Sequence, residues 1–108
     1  MPTVNYIDAD GTRHVVEVPQ GENVMRGALY NNVTGIVGEC GGGLSCATCH
    51  CYVDPAWTGR VGPPASKDER DLLQAAACEV RPNSRLSCQI VMTEALDGLT
   101  VALPETQY

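Results

Sequence analysis
The residues able to do chemistry in this 108-residue chain are crowded into one stretch. It reads Cys40-Gly-Gly-Gly-Leu-Ser-Cys46-Ala-Thr-Cys49-His-Cys51, four cysteines within twelve residues, and Cys88 stands far downstream. Core packing rarely asks for thiols at that density. A metal cluster does, because several thiolates must converge on one centre. The glycine triplet has a matching purpose. A loop wrapped around a cluster takes positive φ in places and brings bare backbone N–H groups close to sulfur, and glycine permits both. These residues predict an iron–sulfur site with Cys40, Cys46, Cys49 and Cys88 as its ligands.

Other uses of clustered cysteines fit less well. All-cysteine zinc sites usually take two Cys-x-x-Cys pairs, and this chain has one, Cys46 and Cys49. A thioredoxin-like redox pair needs neither Cys40 nor the glycines, and would precede a long helix. His50 follows the last loop cysteine and is the rival for a Rieske-like ligand. Four cysteines already complete a ligand set, so it reads as structural. Alternation along a strand turns Cys51 with Val53, away from His50 and Tyr52, as a small buried hydrophobe. Cys78 closes a helical run and is the stronger rival to Cys88.

The spacing of the four ligands is five residues, then two, then a distant partner. Plant-type ferredoxins place one residue fewer between the first two. This pattern, with Cys46-Ala-Thr-Cys49-His50 and Arg85-Leu86-Ser87-Cys88-Gln89, resembles the adrenodoxin–putidaredoxin branch of the 2Fe-2S ferredoxins, and its bacterial putidaredoxin-like members most. The likeness runs over nearly the whole chain. It implies a β-grasp fold, one 2Fe-2S cluster, and a one-electron carrier rather than an enzyme. As partners it implies an NAD(P)H-dependent flavoprotein ferredoxin reductase as donor and a bacterial cytochrome P-450 monooxygenase as acceptor. Supply of electrons to iron–sulfur cluster assembly is the alternative client, and a zinc-stabilised interaction domain the remote one. His50 is expected to tie the cluster loop to the domain. Basic partners are expected at acidic docking residues, Asp68, Glu69 and Asp71 on one helix with Glu39 beside the loop, and at the terminal aromatic Tyr108. Gly35 departs from the acid that the putidaredoxin-like pattern carries ahead of the loop.

Composition bounds the rest. The length suits one domain over residues 1–108 with a modest core, expected as a monomer. With no Phe and one Trp, that core must be built from Val, Leu, Ile and Ala. Thirteen acids against seven bases give a formal charge of −6, which argues against nucleic acid and anionic membranes and favours basic protein partners. The start, Met-Pro-Thr-Val-Asn-Tyr, carries no signal pattern, and six cysteines without one favour metal binding in a reducing compartment, the bacterial cytoplasm.

The elements that must hold the site follow from periodicity. Val4–Ile7 and His14–Val18 read as strands about an Asp10-Gly11 type I′ turn. Asn23 caps a helix over Val24–Asn31. Tyr52-Val53 resumes extended chain after the cysteine loop, and Gly59–Ala65 reads as loop. Ser66 to Glu69 is a capping box opening a helix from about Lys67 to Ala77, with Leu72, Leu73 and Ala76 inward. Leu86–Met92 reads as a strand with Ile90, Val91 and Met92 in the core, and Leu99–Leu103 as the last one. The interleaving predicts an α+β fold, a mixed sheet with helices packed on one face.

Overall fold
In the computed structural model, residues 2–33, 35–38, 48–64, 66–76, 78–105 and 107 are described. Cys40, Cys46, Glu39, the glycine triplet and Tyr108 lie outside them. The strands are β1 (Thr3–Ile7), β2 (Arg13–Glu17), β3 (His50–Val53), β4 (Ser84–Leu86) and β5 (Leu99–Ala102). They form one mixed sheet in the order β2-β1-β5-β3-β4. β1 pairs antiparallel with β2 and parallel with β5, and β3 is antiparallel to both β5 and β4.

Alternation places Val4 and Tyr6 of β1, Val16 of β2, and Leu99 and Val101 of β5 in the core. The turn between β1 and β2 differs from a type I′ turn. The Gly11 N–H donates to the Asp8 carbonyl at 2.9 Å, and Asp8 N–H to that of Thr12 at 2.8 Å. Gly11 alone takes positive φ there, +91°, so the hairpin closes through a type I turn with a glycine bulge.

Helix α1 (Val24–Tyr30) starts where expected, with the Asn23 side chain accepting from Arg26 N–H at 2.8 Å. Its buried residues Val24, Met25, Gly27 and Ala28 face the sheet, and the Tyr6 hydroxyl donates to the Val24 carbonyl at 2.6 Å. Burial pushes the Tyr6 phenol above its ordinary value, so it stays a donor. One turn of helix, α2 (Thr58–Val61), forms in the stretch read as loop. Helix α3 (Lys67–Leu73) is capped by Ser66, whose hydroxyl accepts from Glu69 N–H at 3.1 Å. It buries Leu73, while Leu72 and Ala76 are half-buried.

The largest departure from expectation lies at Leu86–Met92. The ladder with β3 ends at Leu86, a 3-10 turn covers Ser87–Gln89, and Val91 is 52 % exposed. Val91 forms only an isolated bridge with Asn23. Apolar runs score as strand wherever β-branched residues gather, and this one is interrupted because Cys88 must leave the ladder to face Cys49.

Candidate metal centre
β3 is buried at all four positions, so both its faces are packed. Its register with β4 pairs His50 with Leu86, Cys51 with Arg85 and Tyr52 with Ser84. One step beyond the ladder, Ser87 binds the Cys49 carbonyl twice, through its N–H at 2.9 Å and its hydroxyl at 2.8 Å. The 3-10 turn at Ser87–Gln89 then brings the Cys88 side chain into hydrogen-bond contact with that of Cys49. Both cysteines are buried, and neither is in a disulfide. The Gln89 side-chain amide adds a donor to the Cys88 sulfur at 3.4 Å.

The facing Cys88 sulfur, together with burial, pushes the Cys49 thiol well above its usual range. Two thiolates there would need a cation to offset mutual repulsion and lost hydration, which is the donor chemistry of an iron centre. Of the four predicted ligands, Cys49 and Cys88 are thus brought together, while Cys40 and Cys46 fall outside the described residues. The base of the intervening loop is nevertheless defined. Val37 N–H and Gly38 N–H both donate to the Thr48 carbonyl, at 3.0 and 3.2 Å.

The remaining cysteines sit elsewhere. Cys51 is fully buried, and burial pushes its thiol up to about 12, as suits an inert packed side chain. Cys78 lines a cavity of about 450 Å³ with Tyr52, Glu79 and Arg81. His50 is buried with its Nε2 2.9 Å from the Ser84 hydroxyl and its ring edge-on to Tyr52 at 4.7 Å between centroids. Burial, reinforced by Arg81, lowers its pKa to about 4, so the imidazole is neutral at ordinary pH. It ties β3 to β4 in this structure.

Behind the ligands stands an ion pair that spacing did not suggest. Glu69 is 0 % exposed and Arg85 4 %. Arg85 Nε donates to Glu69 Oε2 at 2.6 Å and Nη2 to Oε1 at 3.1 Å, a two-bond fork. Leu86 N–H also donates to Glu69 Oε2, at 3.0 Å. This corrects the docking set: Glu69 lies in the interior holding α3 to β4 through Arg85, which is three residues before Cys88, and a partner cannot reach it. Asp68 and Asp71 on the same helix are exposed. Helical spacing of about 100° per residue explains the split, since neighbours on a helix face different ways.

The family described as "2Fe-2S iron-sulfur cluster binding domain" matches residues 7–93. This chain belongs to it. As a 2Fe-2S ferredoxin it is 46 % identical to putidaredoxin of Pseudomonas putida over 108 residues, all of both chains. It is 48 % identical to rhodocoxin of Rhodococcus erythropolis over 107 residues, 99 % of each. Among solved structures, that of the covalent putidaredoxin reductase–putidaredoxin complex matches with a TM-score of 0.90 and 47 % identity. The match covers 94 % of this chain and 97 % of the other. The fold is therefore the β-grasp of the putidaredoxin-like ferredoxins, and the ferredoxin carries one 2Fe-2S cluster. It is an electron carrier, not an enzyme. No described helix is long and apolar enough to cross a membrane.

Proposed function
We propose that this ferredoxin takes single electrons from an NAD(P)H-dependent flavoprotein ferredoxin reductase and delivers them to a cytochrome P-450 monooxygenase in the bacterial cytoplasm, acting as a monomer of one domain over residues 1–108. The contact between the buried Cys49 and Cys88 side chains carries the assignment of the site. End-to-end similarity to putidaredoxin, which has been crystallised with its reductase, supports the donor. The acceptor rests on the resemblance to the putidaredoxin-like branch.

Cys40, Cys46, Cys49 and Cys88 would hold the cluster, which supplies reversible uptake of one electron when bound. The chain's own part is to bury two of the sulfurs, keep water from them and aim donors at them. Gln89 donates to the Cys88 sulfur, and each such bond favours added negative charge there. Ser87 fixes the Cys49 backbone, and the Glu69–Arg85 pair fixes the strand that presents Cys88. Docking falls to the exposed Asp68 and Asp71, and Glu39 and Tyr108 are proposed from the sequence. The net charge of −6 suits a basic patch on either partner.

The test is chemical and genetic together. Purified protein should hold two irons and two sulfides per chain and give a spin-half signal when reduced. Serine at Cys40, Cys46, Cys49 or Cys88 should abolish or badly destabilise the cluster, while Cys51→Ser and Cys78→Ser should keep it. Stoichiometric zinc in iron-replete protein would refute the cluster. Loss of the cluster in Cys78→Ser, with retention in Cys88→Ser, would refute the fourth ligand.

A further inference from the structure
Gln107, 7 % exposed, makes three hydrogen bonds to backbone far away in sequence. Its carboxamide oxygen accepts from His50 N–H at 3.2 Å. Its amide nitrogen donates to the His50 carbonyl at 2.8 Å and to the Gly35 carbonyl at 2.9 Å. A primary amide has two N–H hydrogens, so both are committed.

The two segments it joins are the stems of the cysteine loop. Gly35 lies on the entering side and His50, next to Cys49, on the leaving side. One rung nearer the loop, Val37 and Gly38 N–H groups meet the Thr48 carbonyl. The Gln107 side chain supplies the next rung, doing for these two backbones what the peptide group of a paired strand would do. The terminal segment can lie this close because residue 35 is glycine. A Cβ there would stand 2.5 Å from Leu103 Cδ1 and 3.0 Å from Leu103 Cβ. The Gly35 that breaks the acidic pattern ahead of the loop is thus the floor on which the terminal segment rests.

We infer that the Gln107 carboxamide is a positioning residue for the cluster, clamping both stems of the loop at a set separation and thereby holding the Cys49 sulfur in register with the rest of its ligand set. The inference rests on the cluster reading above. Loss of a group that orients a metal ligand typically costs about 10–100-fold in metal affinity.

Two variants separate the amide from its bulk: Gln107→Ala removes both, and Gln107→Leu keeps the volume but none of the hydrogen bonds. Glu105→Gln, at an exposed site on the same segment, serves as the control. The full-length protein is followed by bleaching of the visible absorption under an iron chelator, by its midpoint potential, and by hydrogen exchange at the His50 amide. Both Gln107 variants should bleach about tenfold faster or more, move the potential and exchange the His50 amide faster, with the control unchanged. A Gln107→Leu protein matching the original in all three would overturn the inference, as would a lowered melting temperature with bleaching and potential unaltered. Should the original protein prove to hold zinc, the cluster reading fails, and His50 exchange alone still decides whether the clamp exists.

Discussion

Replacing Glu69 by Ala takes the acid paired with Arg85, its one acidic partner among the described residues, out of an interior that leaves the arginine 4 % exposed. Breaking a buried ion pair by removing one member costs about 3–5 kcal/mol, because a charge is left without compensation. Three carbonyls still accept from Arg85 Nη1 and Nη2, those of Val61, Gly62 and Gln89 at 3.4, 3.2 and 3.4 Å. They place the electrostatic part near the lower end, about 3 kcal/mol, since neutral acceptors offset only some of the loss. Leu86 N–H also loses its 3.0 Å acceptor, which adds roughly 1–2 kcal/mol. At roughly 4 °C per kcal/mol for a domain of this size, the melting temperature should fall by about 16–20 °C. Cluster loss makes such melts irreversible, so far-UV dichroism and visible absorbance are compared at one fixed scan rate. Pairing Glu69→Leu with Arg85→Met should recover much of the drop, since matched apolar groups leave no charge stranded. A Glu69→Ala protein melting within about 3 °C of the original would refute the argument. If that protein also lost rate with the reductase, the carboxylate would have to be a docking group after all.

Neutralising the exposed pair, Asp68→Asn with Asp71→Asn, should leave the melt alone and slow association with the reductase or the monooxygenase by roughly threefold at low ionic strength. The difference should vanish as salt shortens the screening length to about 10 Å at 0.1 M, and equal rates at all salt concentrations would move docking to Glu39, Tyr108 and the cluster loop. Gly35→Ala should destabilise the fold by about 1–3 kcal/mol by driving a methyl into Leu103. An unchanged melt and unchanged cluster lifetime would show that the terminal segment does not rest on Gly35.

Much of this protein was legible in the residues themselves, and for physical reasons. Ligand identity and spacing are local properties, so four cysteines with a glycine triplet announce a cluster without any tertiary information. The strands about Asp10-Gly11, the Asn23 cap and the Ser66 cap are also local, since each depends on dihedral preference and a bond three residues away. What spacing could not supply is what comes from far along the chain. Glu69 and Arg85 are sixteen residues apart, and Gln107 reaches Gly35 across seventy-two. Before folding, Glu69 is one of three acids on a helix, and its charge does not mark it off from Asp68 and Asp71. Helical spacing sets its direction apart from theirs, and tertiary packing decides that its side is the one turned inward. The same holds for the break after Leu86, where an apolar run reads as strand until Cys88 is required to face Cys49. Local propensity chooses the elements, but burial and the hydrogen-bonding demands of distant backbone choose which polar side chains become structure and which stay free for a partner.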